Sequence, residues 1–309
     1  MTTGAIGHLC GRFALGVAAF LLSACSVVSP PGTQSSDGAT ANTPAPATRS
    51  TPAPKIALAL GGGAARGFAH IGVIKVLEAH GLKPDIVVGT SAGSVVGALY
   101  ASGLDGLSLQ RVAMDLREER VVDWVLPDRG VLRGEALQRF INQQLRNQTM
   151  ERLPRRFAAV ATDLATGRRV VFSVGNAGQA VRASSAVPGV FQPVKIGAHE
   201  YVDGGLTEPV PVLAARELGA DVVIAVDIGQ KPHWGKVDGT LQVLLQTITI
   251  MGDALAQAQR AAADIVIRPH TAAVAPTDFS DRALAILEGE KAAIQAWPQI
   301  AALLRAKGL

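Results

Sequence analysis

Ser91 lies in the sequence Gly89-Thr90-Ser91-Ala92-Gly93, between an apolar run at 85–88 and a run rich in Ala and Val. A serine that attacks a carbonyl group needs a sharp strand-to-helix turn that exposes its hydroxyl. The glycines two residues to either side remove side chains that would clash at such a turn. The pattern also arises by chance in chains rich in Gly and Ser, but its position between a strand and a helix favours a nucleophile.

A second glycine-rich segment, Gly61-Gly62-Gly63-Ala64-Ala65-Arg66-Gly67, follows the apolar run 56–60. Backbone without side chains can turn its N–H groups towards the oxygen of a tetrahedral intermediate, which predicts an oxyanion hole. One alternative, a dinucleotide-binding loop, is disfavoured because Arg66 occupies the sixth position and Gly89, not an acidic residue, ends the next strand. The other alternative is a plain strand–helix turn.

Asp203 is the candidate base, in Tyr201-Val202-Asp203-Gly204-Gly205. A partly desolvated carboxylate can accept a proton directly, and the two glycines leave room for another side chain to approach. The alternative is a turn-forming Asp-Gly pair. A Ser-His-Asp triad would need a histidine after a late strand, and His270 is the credible candidate. The remaining histidines are His8, His70, His80, His199 and His233.

In this order the segments resemble the patatin-like phospholipase family, in its bacterial branch near the neuropathy-target-esterase-like lysophospholipases. Residues 58–73 are similar to its first motif, 89–93 to its nucleophile elbow and 203–205 to its Asp-Gly-Gly/Ala motif; 129–135 and 183–193 fit as well. The resemblance covers 55 to roughly 230 and, more loosely, the C-terminal helices. The Ala64-Ala65 insert makes the loop one residue longer than the tightest family pattern.

The resemblance implies a Ser–Asp dyad without histidine, acting on ester bonds of membrane phospholipid or lysophospholipid. Asp203 would take the proton from Ser91, and the Gly62, Gly63 and Ala64 amides would hold the oxyanion. Arg66 would orient the loop or meet a lipid phosphate, with a surface salt bridge as the alternative. The motif-supporting glycines are Gly61, Gly67, Gly89, Gly93, Gly204 and Gly205. No cofactor is implied.

The elements that must position these residues alternate along the chain. Strands are predicted at 56–60 and 85–88 and helices at 65–80 and 91–101, which indicates a right-handed βαβ unit and a parallel sheet. Further strands are predicted at 157–161, 170–174, 221–227 and 265–267, and helices at 134–145, 209–218, 241–263 and 283–307, the last broken at Pro298. The predicted fold is a three-layer α/β/α domain over 55–309, with a mainly parallel central sheet.

Residues 1–24 are predicted to be a lipoprotein signal peptide, because a short apolar stretch ends in Leu22-Ser23-Ala24-Cys25. Cys25 would carry the lipid; the alternative is an ordinary signal peptide. Residues 25–54, rich in Ser, Pro, Thr and Ala, are predicted to form a disordered tether. Ser26 after the cysteine favours the bacterial outer membrane by resemblance to known sorting rules.

Composition narrows the function class. The chain has 309 residues, a net charge of +4 and two cysteines, Cys10 and Cys25, so the domain lacks the thiols for a disulfide or a thiolate metal site. It has no dense Lys/Arg run typical of nucleic-acid binding, and no metal site is predicted. Two rival functions remain: an acyltransferase or thioesterase on the same dyad, and a non-catalytic lipid-binding lipoprotein.

One further feature concerns lipid contact. Trp124 lies in the apolar segment 121–127, which would be either a flap that dips into the bilayer interface or an ordinary core turn. The sequence does not indicate an oligomeric state.

Overall fold

A computed structural model of the chain describes residues 53–121, 123, 129–232, 239–275 and 279–309. The signal segment 1–24, Cys25, all of the tether except its last two residues, Trp124 and His233 lie outside the described residues. The predictions made for them therefore remain predictions.

One eight-stranded sheet forms the centre of the domain. Its strands are β1 (Ile56–Leu60), β2 (Ile86–Thr90), β3 (Arg156–Asp163), β4 (Arg169–Phe172), β5 (Val194–Ile196), β6 (His199–Asp203), β7 (Val222–Val226) and β8 (Ile265–Ile267). Hydrogen-bonded pairs connect the strands in the path β5-β6-β3-β2-β1-β7-β8. On this path β6 and β2 pair with successive stretches of the same edge of β3, and β4 pairs with the other edge of β3. Five strands, β3, β2, β1, β7 and β8, are parallel to one another, and the pairs that involve β4, β5 or β6 are antiparallel. The predicted, mainly parallel sheet is confirmed.

Helices cover both faces of this sheet. They are α1 (Ala69–Ala79), α2 (Ala92–Ala101), α3 (Gly106–Met114), α4 (Glu135–Gln144), α5 (Ala177–Ser184), α6 (Val212–Glu217), α7 (Thr240–Ala261) and α8 (Arg282–Ala306). In β1, Ile56, Leu58 and Leu60 pack towards the side of α1, α2 and α8, whereas Ala57 and Ala59 pack towards α6 and α7. This period-two alternation gives the three layers that the sequence predicts.

Two helical predictions need correction. The segment predicted as a helix from residue 65 begins as a 3-10 turn, Ala64–Phe68, before α1 starts. The predicted break at Pro298 is wrong, because α8 continues through it. Both Pro298 and Ile294, whose carbonyl loses its usual helical donor, are exposed, so water can take the place of the missing N–H. None of the helices in the described ranges is long and apolar enough to cross a membrane.

The register of β3 brings two strand ends together. Along one edge of β3, Ala159 and Val160 pair with β2 and Ala161 pairs with Asp203 of β6. The opposite edge at the same residues is taken by β4. Because β2 runs parallel and β6 antiparallel to β3, the carboxyl ends of β2 and β6 meet head to head. Ser91 follows one end, and Asp203 is the other.

Candidate active site

Ser91 occupies a strained turn between β2 and α2. Its backbone angles are φ 52 and ψ −123, a conformation that residues other than glycine rarely adopt and that is typical of a nucleophile elbow. The turn needs close approaches on both sides: a Cβ on Gly89 would lie 2.4 Å from the backbone of Gly93, and a Cβ on Gly93 would lie 2.1 Å from the Leu60 carbonyl oxygen. The two motif glycines therefore let α2 start directly against β1 and β2.

Ser184, at the end of α5, holds this turn in place. The Ser91 N–H donates to Ser184 Oγ at 2.9 Å, and the Ser184 hydroxyl donates to the Val160 carbonyl oxygen at 2.5 Å. Ser184 is fully buried. Sequence reasoning placed it in the supporting segment 183–193 but gave it no role, since a serine in a motif does not reveal its partner.

Asp203 is buried at the end of β6, only 6% exposed. Its Oδ1 accepts a hydrogen bond from the Gly205 N–H at 2.7 Å, whereas its buried Oδ2 has no hydrogen-bond partner among the described residues. Burial raises the pKa of Asp203 to about 6, although the Ser91 hydroxyl, which lies near this carboxyl without the geometry of a hydrogen bond to Oδ2, and the Gly205 N–H act to lower it. This carboxyl is therefore mostly ionised at neutral pH and still close enough to its pKa to accept a proton.

Gly204 brings the carboxyl to this position. A Cβ on Gly204 would lie 2.2 Å from the Val160 carbonyl oxygen, the same oxygen that accepts the Ser184 hydroxyl. Only a glycine lets the chain turn away from β3 immediately after Asp203.

The glycine-rich loop lies beside Ser91, since a Cβ on Gly62 would be 3.3 Å from the Ser91 Cβ. The N–H of Gly62 donates to the Pro209 carbonyl oxygen at 2.9 Å, which corrects its prediction as an oxyanion donor. The N–H groups of Gly63 and Ala64 donate to no acceptor within the described residues. Ala64 has φ 53, a strained backbone angle for a residue with a side chain, and its N–H is one of these two that remain available to an acceptor.

The buried side chains of His70 and Arg66 hold the glycine-rich loop in place through hydrogen bonds to its backbone. His70 Nε2 donates to the Gly61 carbonyl oxygen at 2.8 Å, and desolvation lowers the pKa of His70 to about 4, so the ring is neutral. Arg66 Nε donates to the Gly63 carbonyl oxygen at 3.0 Å, and Nη1 donates to the Gln230 side chain at 2.9 Å. Arg66 is 8% exposed, so the surface salt bridge considered for it is wrong and the loop-orienting role is supported. The sequence analysis gave His70 no role in holding this loop.

No histidine in the described part of the chain forms a hydrogen bond with Ser91 or Asp203. His270 is exposed and follows β8, which is three strand spacings, about 14 Å, from β2. His199 pairs with Asp163, and His80 stacks on Trp297. The triad considered with His270 therefore finds no support among the described residues.

No group of three or more His, Cys, Asp or Glu side chains in the described ranges is placed to hold a metal ion.

The fold and this site define an α/β domain with a serine on a nucleophile elbow beside a buried carboxyl. Residues 58–216, about half of the chain, match the family model described as patatin-like phospholipase. The chain belongs to the patatin-like phospholipase family.

Several curated proteins are similar to this chain. An uncharacterized NTE family protein of Mycobacterium tuberculosis is 38% identical over 190 residues, which cover 60% of this chain and 53% of that protein. Human patatin-like phospholipase domain-containing protein 6 is 38% identical over 188 residues, covering 57% and 13%. Lysophospholipase NTE1 of Coccidioides immitis is 36% identical over 188 residues, covering 56% and 11%. The chain thus spans about half, or much less, of the length of these relatives.

A solved structure shares the fold. VipD from Legionella pneumophila superimposes with a TM-score of 0.56 at 17% identity, over 81% of this chain and 67% of that one.

Proposed function

We propose that this protein is a serine lipid acyl hydrolase in which Ser91 is the nucleophile and Asp203 its acid–base partner. The observation that carries the proposal is the head-to-head meeting of β2 and β6, which sets the Ser91 turn beside a buried carboxyl whose Oδ2 has no hydrogen-bond partner among the described residues. An unpaired buried carboxylate oxygen is costly, and a reacting hydroxyl is the partner that would use it.

In the first half-reaction the Ser91 Oγ bonds to the ester carbonyl carbon while its proton passes to Asp203. The carbonyl electron pair moves onto the oxygen, where the N–H groups of Gly63 and Ala64 can donate to it. When the intermediate collapses, the bond to the alcohol breaks and Asp203 returns the proton to the leaving oxygen. The products are a free alcohol and an acyl-Ser91 ester.

In the second half-reaction a water molecule gives its proton to Asp203 and bonds to the acyl carbon. The Ser91 oxygen then leaves and recovers the proton from Asp203, releasing a fatty acid. The same carboxyl serves as base and acid twice, which suits a pKa of about 6.

The substrate class follows from the relatives. One similar protein is named a lysophospholipase and another a patatin-like phospholipase domain-containing protein. We therefore propose a phospholipid or lysophospholipid as the acyl donor. We also propose that lipidated Cys25 holds the enzyme at the bacterial cell envelope, on the outer membrane, where such substrates are present.

The test is release of fatty acid from lysophosphatidylcholine and from phosphatidylcholine by the wild-type protein and by Ser91→Ala. Fatty acid that is released by the wild type and absent with Ser91→Ala supports the proposal. Acyl transfer to an added lipid alcohol with little free fatty acid would identify the transferase instead. Equal, negligible release by both proteins would leave only a lipid-binding role.

A further inference from the structure

The first half of α7 carries an unusually exposed apolar surface. Leu241, Val243, Leu244, Ile250 and Met251 are each at least 40% exposed. No residue from 240 to 255 is buried, and the buried residues of this helix, Ala256 and Gln259, lie in its second half. This half of the helix therefore presents large side chains that bury little area against the rest of the domain.

Four of these side chains, all except Leu241, form one stripe together with Thr247. Residues 243, 244, 247, 250 and 251 follow the spacing of a single helix face, and Gln242, Gln246 and Asp253 lie together along one side of that face, next to Val243 and Ile250. From 240 to 252 the helix has no charged residue. An exposed apolar stripe without charged residues is typical of a surface that contacts another protein or a membrane.

The polar group inside the stripe is already satisfied. Thr247 lies at its centre, and its hydroxyl donates to the Val243 carbonyl oxygen at 2.8 Å; the Thr249 hydroxyl likewise donates to the Leu245 carbonyl oxygen at 2.9 Å. A hydroxyl that is hydrogen-bonded to its own helix costs little when water is removed, whereas an unpaired one would oppose the transfer. The stripe can therefore lose its water without leaving a hydroxyl unpaired.

The stripe borders the proposed active site. A Cβ on Gly189 would lie 3.0 Å from Leu241 Cδ1 and 3.1 Å from Leu244 Cδ2, so these leucines contact the 186–193 loop. The Ala186 carbonyl at the start of that loop accepts the Asp203 N–H at 2.9 Å. The other end of α7 is held by Gln259. Its side-chain oxygen accepts a hydrogen bond from the Val210 N–H, and its side-chain nitrogen donates one to the Thr207 carbonyl oxygen, close to the turn after Asp203.

We infer that the stripe of α7 formed by Val243, Leu244, Ile250 and Met251 docks on a lipid surface and brings the Ser91–Asp203 site next to it. The inference rests on the proposed function and adds the site through which the enzyme meets its substrate phase. A second copy of the chain is the other possible occupant. A lipid surface is favoured because the stripe adjoins the 186–193 loop that contacts Asp203, so a bilayer docked there would bring ester substrate next to the proposed site, which a second copy would not.

The test places an environment-sensitive fluorophore on the stripe. In the full chain with Cys10→Ser and Cys25→Ser, Met251→Cys is labelled with a nitrobenzoxadiazole dye, and Ile294→Cys, an equally exposed position on α8, is the matched control. We expect vesicles of phosphatidylcholine and phosphatidylglycerol to shift the emission at 251 to the blue and protect it from an aqueous quencher. The dye at 294 should not respond.

A second arm measures activity. Val243→Glu with Met251→Glu should lower hydrolysis of vesicle lipid by about tenfold or more, because two apolar contacts are replaced by charges, and leave a soluble short-chain ester almost unaffected. Ile294→Glu should change neither. Ser91→Ala should abolish both activities and keep the vesicle response at position 251, which separates failure of the proposed function from failure of the docking surface.

Three results would overturn the inference. The first is a dye at 251 that does not respond to vesicles. The second is an equal loss on the soluble ester in the double variant. The third is a blue-shifted emission without lipid that depends on protein concentration, which would assign the stripe to a contact between two copies.

Discussion

At the residue scale, the site depends on which polar atoms have partners. Asp203 uses one carboxylate oxygen for the Gly205 N–H and keeps the other without a partner among the described residues. Ser91, by contrast, has its N–H fixed through Ser184, so its backbone is held while its hydroxyl remains available. A fixed backbone and an available side chain are what a nucleophile requires.

Ser184→Ala should separate this support from ordinary packing. It leaves the buried Ser91 N–H and Val160 carbonyl without their shared partner, at a cost of about 1–3 kcal/mol in unfolding free energy, and it should lower kcat more than it raises KM. Ser185→Ala is the matched control, because the Ser185 hydroxyl has no hydrogen-bond partner within the part of the chain that the structure describes. Urea unfolding and steady-state kinetics measure both; equal effects of the two substitutions would contradict the assigned role.

At this scale the sequence predicted the two residues, Ser91 and Asp203, that the structure places at neighbouring strand ends, but it did not predict every backbone hydrogen bond around them. Ser91 and Asp203 were predicted from local patterns, because the glycines beside them have steric meaning that short-range spacing reveals. Gly62 was wrongly predicted as an oxyanion donor, because its N–H is taken by Pro209, far along the chain. Such a hydrogen bond depends on tertiary packing and leaves no local signal.

At the element scale, close contacts between backbones decide how the helices pack. A Cβ on Gly289 of α8 would lie 1.9 Å from the Ala69 carbonyl oxygen, and a Cβ on Gly72 of α1 would lie 2.0 Å from the Ile286 carbonyl oxygen. These two helices therefore cross with their backbones in contact. Their packing also keeps the 3-10 turn of the glycine-rich loop in place, since α8 contacts that turn.

Gly289→Ala should push α1 and α8 apart and destabilise the fold by about 1–3 kcal/mol. Gly252→Ala in α7 is the control with the same chemical change, because nothing lies within 4 Å of its Cβ position. It should stabilise the protein by about 0.5–1 kcal/mol through helix propensity alone. Urea midpoints of the two variants provide the measurement, and shifts in the same direction would refute the packing account.

Element prediction was accurate where patterns are local. The strands 56–60 and 265–267 match the structure, and the helix predicted at 241–263 is observed within two residues at each end. The short α3 and α5 were not predicted, because eight or nine residues give too little periodicity. The head-to-head meeting of β2 and β6 was also beyond sequence reasoning, since it depends on the register of both strands on β3.

At the scale of the whole molecule, two buried groups give opposing pH dependence. The pKa of Asp203 is raised to about 6, so its contribution to stability is present below the unfolded value of 3.8 and is lost as pH rises through 6. The pKa of His70 is lowered to about 4, so its contribution is present above the unfolded value of 6.5 and is lost as pH falls through 4. Between about pH 4 and 6 the two slopes nearly cancel.

Single substitutions should expose each slope. In Asp203→Asn, His70 is the remaining one of these two titrating groups, so the unfolding free energy should rise with pH between about 4 and 6. At pH 8 the unfolding free energy of this variant should exceed that of the wild type by about 2–3 kcal/mol, because the buried charge of Asp203 is removed. In His70→Asn, Asp203 is the remaining titrating group, so the unfolding free energy should fall with pH over the same range. Denaturant unfolding across this range tests both, and parallel pH profiles for the two variants would show that these groups are not the titrating ones.

The most direct test of the Ser91–Asp203 pair is the rate of covalent labelling by a fluorophosphonate ester, followed by intact mass at a series of pH values. The wild type and His270→Ala should gain one probe at Ser91, at a rate that rises through a pKa of about 6. Asp203→Asn should label at least about 100-fold more slowly and lose that inflection. Wild-type labelling by Asp203→Asn, or loss of labelling in His270→Ala, would contradict a carboxylate acting on Ser91 without histidine.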